Sequence, residues 1–115
     1  MPEEQQNNAS QLGIKARKYK NSVKLNSEGI VWEYFRKKNY AINLGRFITD
    51  EIGTPDFFVE NGDKQFWVEV KKEQFTLSDT QISWMFDHIQ EDVFLAITNE
   101  KKIHFFKLTL NEVDL

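Results

Sequence analysis

The chain has no cysteine, only two prolines and five glycines in its 115 residues. Without cysteine there are no disulfides and no thiolate zinc sites, which fits an intracellular setting. No apolar run approaches the ~20 residues that a membrane helix needs. The start, Met1 to Ser10, is polar and acidic without an apolar segment, so no signal peptide is expected. The expected location is the cytoplasm, or the host-cell interior if the source is viral.

What is abundant is aromatic: ten Phe, three Trp and three Tyr. Side chains of that size imply a buried core, and this length allows one core rather than two. The expected organisation is a flexible polar and basic tail over residues 1–20 and a single domain over 21–115. The net charge of -3 hides an asymmetry. Residues 1–46 carry nine Lys/Arg and four Asp/Glu, whereas residues 47–115 carry six and fourteen. Lys15, Arg17, Lys18, Lys20 and Lys24 cluster ahead of the first helix. They read either as a phosphate-binding arm or as a solvated lead-in.

A helix is predicted from Ser27 to Lys38, capped by Asn26 or Ser27. Tyr40 to Leu44 reads as a short strand, and Arg46 to Gly53 as a loop or a strand extension. Asp56–Glu60 and Gln65–Lys71 form a hairpin around Asn61-Gly62, a dipeptide favoured in tight turns. Alternation sends Phe66, Val68 and Val70 to one face and Trp67, Glu69 and Lys71 to the other. The first face is then core, and the second carries the chemistry plus one aromatic. Ser78 to about Gln90 is a second helix with Ile82, Met85, Phe86 and Ile89 on its apolar side. Trp84 lies opposite that side and is expected to be a contact in a homodimer. Val93–Thr98 and Lys102–Leu108 are the last strands. The fold class is α/β, a mixed central sheet flanked by helices.

Pairing around the hairpin turn brings Asp56 close to Glu69, so both carboxylates can reach one divalent ion. Lys71 projects from the same face and can orient or activate a water. Two close carboxylates and an ammonium group are the parts needed to hydrolyse a phosphodiester with magnesium. For each residue there is a plainer alternative. Asp56 also reads as a turn starter after Pro55, Glu69 and Lys71 as a solvated polar face, and Ser78-x-x-Gln81 as a capping box in form. His88 and His104 have no partner at ligand spacing and are expected to be structural.

Pro55-Asp56, twelve intervening residues and then Glu69-Val70-Lys71 resemble the PD-(D/E)xK nuclease superfamily. Gly53-Thr54-Pro55-Asp56 and Leu77-Ser78-x-x-Gln81 are similar to the VRR-NUC group. Glu28, eleven residues before Asn39-Tyr40, is similar to the first-helix glutamate of archaeal and viral Holliday junction resolvases, with Asn39 replacing their glycine. The resemblance implies a restriction endonuclease-like core with Asp56, Glu69, the Val70 carbonyl and Glu28 as ligands of Mg2+, which Mn2+ may replace. It makes Lys71 the catalytic lysine and places Gln81 beside the site. DNA is the implied partner, with Arg46 and the N-terminal cations contacting it. The implied activity is structure-selective cutting of branched DNA. The alternatives are a non-catalytic binding module with this fold, or the nuclease subunit of a restriction or repair assembly.

Overall fold

The computed structural model describes residues 26–100 and 102–115. The N-terminal tail and its cluster Lys15, Arg17, Lys18, Lys20 and Lys24 lie outside the described residues. Helix α1 spans Ser27–Lys37. Its cap is Asn26, whose side chain accepts a 2.8 Å hydrogen bond from the Gly29 amide. Glu28 in the first turn and Arg36 and Lys37 in the last complement the helix dipole. Asn39 ends the helix in the left-handed region, φ 64°, a conformation that asparagine tolerates.

Strands β1 (Ala41–Leu44), β2 (Phe57–Asn61), β3 (Lys64–Lys72), β4 (Val93–Asn99) and β5 (Lys102–Leu108) form one sheet in that order. Only β3 and β4 run parallel. A parallel pair requires a crossover, and helix α2 (Asp79–Asp87) lies in that connection. Asn61 pairs with Lys64, so the hairpin's two loop residues are Gly62 and Asp63, one position later than the dipeptide predicts. Gly62 takes φ 65° while Asp63 does not have a positive φ, as a type II′ turn requires.

The sheet is covered on both faces. On one, Val31 and Phe35 of α1 pack against Phe57, Val59, Val68, Val70 and Ala96. On the other, Trp84 and Met85 of α2 pack against Trp67 and Val93. This second core corrects two expectations. Trp67 is buried, not a lone aromatic on a chemical face. Trp84 is 3 % exposed and unavailable as a dimer contact. Helix α2 docks through Trp84 and Met85, leaving Ile82, Phe86 and Ile89 outside, Phe86 with 66 % of its surface in solvent.

The reason lies in the indole N–H groups. A buried indole needs an acceptor. Trp84 Nε1 donates to Glu51 at 2.9 Å and Trp67 Nε1 to Glu91 at 2.8 Å. The two rings meet edge to face, with centroids 5.0 Å apart. These partners outweigh the more hydrophobic sector of the helix.

Candidate active site

The ladder between β2 and β3 pairs Phe57 with Val68. One step further along sets Asp56 opposite Glu69, with both side chains on the α2 face of the sheet. Asp56 Oδ2 accepts a 2.8 Å hydrogen bond from the Val70 amide. Its backbone carbonyl accepts one of 2.7 Å from the Gly45 amide, which anchors the start of β2. Glu69 is 4 % exposed, a rare state for a carboxylate. Its Oε2 accepts from Gln81 Nε2 at 2.7 Å and lies 3.4 Å from Lys71 Nζ. Lys71 Nζ in turn donates to Gln81 Oε1 at 3.3 Å. Asp56, Glu69, Lys71 and Gln81 therefore form one contiguous cluster.

Gln81 has a double part. Ser78 Oγ accepts from the Gln81 amide at 3.2 Å, and Gln81 Oε1 accepts from the Ser78 amide at 2.9 Å, so the capping box is complete. The same side chain braces Glu69 and Lys71, so its two readings are compatible.

The loop before Asp56 is fitted against α2. Gly53 has φ 90°, and a Cβ there would stand 2.1 Å from the Thr80 carbonyl oxygen. Only glycine allows this approach without displacing backbone. Glu51 in the same loop accepts from Trp84 and lies 2.8 Å from His88 Nε2. His88 stacks on Trp84 at 3.8 Å, and its Nδ1 is 2.7 Å from Glu91. Partial burial draws the His88 pKa down, but hydrogen bonds to Glu91 and Glu51 outweigh it and hold the pKa above its ordinary value. The sequence offered no sign of this network, because Glu51 is 33 residues from Trp84 and 37 from His88.

The electrostatics of the pair follow from burial. Desolvation and the neighbouring Asp56 charge push the Glu69 carboxyl up to about 7, against the opposing pull of Lys71. Asp56 is also raised, chiefly by burial, against the Val70 amide and Lys71. Glu28, on the other side of the sheet, is raised by burial and by Asp56 and lowered by Arg46. Arg46 thus acts on Glu28, and its guanidinium stands 5.2 Å from the centre of the Phe47 ring.

Two desolvated carboxylates that disfavour each other's charge are suited to a cation. Asp56 Oδ2 is held by the Val70 amide and Glu69 Oε2 by Gln81, and the Asp56 backbone also hydrogen-bonds the Glu69 carboxylate. Among the described residues no three His, Asp or Glu side chains are gathered as a metal cage. Glu28 is within electrostatic reach of Asp56, whose charge helps raise its pKa. At Val70 it is the amide that is tied to an acid of the site.

Among solved structures, the chain is similar to Hjc of Archaeoglobus fulgidus, a Holliday junction resolvase from an archaeal hyperthermophile. The TM-score is 0.51 at 20 % identity, covering 66 % of this chain and 68 % of that one. The described residues, α/β with a mixed five-stranded sheet and two helices, are consistent with the restriction endonuclease-like fold of that structure. No protein-family model matches the chain, and no curated protein matches it. No described helix is long and apolar enough to cross a membrane.

Proposed function

We propose that this chain is a metal-dependent endonuclease that hydrolyses DNA phosphodiester bonds, selecting branched or otherwise structured DNA. The observation that carries the reading is the half-buried cluster of Asp56, Glu69 and Lys71 at the β2–β3 junction with Gln81 of α2. The fold it sits in is similar to that of a Holliday junction resolvase. Asp56 and Glu69, with the Val70 carbonyl, would hold Mg2+, or Mn2+ in its place. The ion supplies charge to the phosphoryl oxygens and lowers the pKa of the attacking water. Lys71, held by Glu69 and Gln81, orients that water beside the phosphate. Gln81 is a positioning residue that sets Glu69 and Lys71 relative to one another. Glu28 lies within electrostatic reach of the pair, since the Asp56 charge helps raise its pKa, and it completes the site directly or through a metal-bound water. Arg46 and the N-terminal cations contact the DNA backbone.

A homodimer suits a four-way junction, since two related sites could cut two related strands. Trp84 cannot provide the contact. Ile82 and Phe86 of α2 and Ile89 in the turn that follows it are open to solvent, and we assign the contact to them.

The test is to incubate the protein with a labelled four-way junction, a linear duplex and single-stranded DNA, with and without magnesium. Metal-dependent cutting that favours the junction is expected. Binding without cutting would replace this reading with that of a non-catalytic module.

A further inference from the structure

The strand register extends the chemical face of the sheet beyond the acidic pair. Glu69 pairs with Leu95, and Leu95 with Phe106. Lys71 pairs with Ile97, and Ile97 with His104. Cross-strand partners point to the same side of a sheet, so Phe106 and His104 share the face of Glu69 and Lys71. They lie two strand spacings away, about 10 Å. Helix α2 packs on the preceding row, Trp67, Val93 and Leu108, and Glu69 and Leu95 of the next row are buried as well, while Phe106 at its end is exposed. Beyond it the face is open, and Glu73, Gln74, Phe75, Ile97, His104 and Phe106 line a groove of about 490 Å³.

Three features mark this groove as built. Phe75, Ile97 and Phe106 belong to neither core cluster, and Phe106 is 52 % exposed. The wall formed by residues 73–75 is held in place: Gln74 adopts φ 57°, and Asn99 donates a 2.9 Å hydrogen bond to Glu73. Among the described residues no lysine or arginine lines the groove, and its one carboxylate is engaged with Asn99. An aromatic floor suits the flat face of a base, whereas a phosphate needs a cation, and Lys71 stands in the same cross-strand row as Ile97 and His104.

We propose that this groove receives an unpaired nucleobase of the DNA strand whose phosphate lies at Asp56, Glu69 and Lys71, with Phe106 as the stacking surface and His104 beside it. The inference rests on the nuclease reading of that cluster, whose row it continues. It makes the chain select DNA in which a base next to the cut is already out of the duplex. A fully paired strand cannot offer a base to the groove without unstacking it.

The test places 2-aminopurine at unpaired positions flanking the branch of a forked substrate and measures its fluorescence on binding without metal. The full chain is compared with Phe106→Ala and with Phe106→Tyr, which keeps the ring. The full chain and Phe106→Tyr are expected to quench the probe. Phe106→Ala is expected to lose the quench and to bind the forked substrate roughly tenfold more weakly. Its affinity for a fully paired duplex should be unchanged. Equal quench and equal affinity for all three proteins would overturn the groove. Cutting with magnesium is measured in parallel. If the unaltered chain cuts nothing, the active-site reading fails, and the quench still decides the groove separately.

Discussion

Replacing Glu69 by glutamine should stabilise the metal-free protein at alkaline pH, the opposite of the usual result for a buried polar residue. Glu69 titrates at about 7 in the folded chain, against 4.5 for an unperturbed glutamate. Between those values the folded protein holds a proton that the unfolded chain has released. Stability from this group is therefore full below 4.5 and is lost as pH rises through about 7. One pKa unit corresponds to about 1.4 kcal/mol, so the shift sets a ceiling of about 3 kcal/mol. Glutamine is neutral throughout and keeps an acceptor for Gln81, so it avoids that loss. Urea unfolding in EDTA should show Glu69→Gln more stable than the unaltered protein by roughly 1–3 kcal/mol at pH 8. At pH 4 the two should agree. Saturating magnesium should close the gap from the other side, since a ligand at 100 times its Kd adds about 2.7 kcal/mol to the protein that binds it. Equal pH slopes for both proteins in EDTA would refute the claim that burial and the Asp56 charge raise the Glu69 carboxyl.

Further outcomes follow from other residues. Asp56→Asn and Lys71→Ala should each reduce cutting by roughly 10²-fold or more while leaving the circular dichroism spectrum and DNA binding in place; normal cutting by Asp56→Asn would remove the site assignment. Gly53→Ala should destabilise the fold by at least about 2 kcal/mol, because its Cβ would strike the Thr80 carbonyl at a φ of 90°; an unchanged urea midpoint counts against that packing. His88 is held above its ordinary pKa by Glu91 and Glu51, so its stabilising share is present below about 6.5 and fades as pH rises through the folded value. Glu51→Gln should reduce that pH dependence, at a cost of about 1 kcal/mol near pH 6. Phe86→Glu should give a monomeric mass by light scattering at micromolar protein, while the unaltered chain gives a dimer; a monomer in both cases removes the α2 contact.

Much of this architecture is readable from local pattern. The alternation in Gln65–Lys71 and the glycine turn place Asp56 and Glu69 on paired strands, because strand period and a two-residue loop leave little freedom of register. The apolar run at Val93 reads correctly as a buried strand, and the parallel β3–β4 pair follows from the helix between them. What is not readable depends on distant partners. A helical wheel shows which sector of α2 is most apolar, but not that Trp84 will find an acceptor in Glu51 and an aromatic neighbour in Trp67. The Arg46–Gly53 segment has no periodicity, and its course is set by contacts with α2 that no local signal encodes. The second part of Gln81, as a brace between Glu69 and Lys71, was likewise hidden behind its capping box.

The central claim is that Asp56 and Glu69 share one cation beside Lys71. Anomalous diffraction from a crystal soaked in Mn2+ tests it most directly. A single strong peak bounded by the carboxylates of Asp56 and Glu69 is predicted, and it should vanish in Asp56→Asn. Manganese bound elsewhere, with those two acids unoccupied, would contradict it.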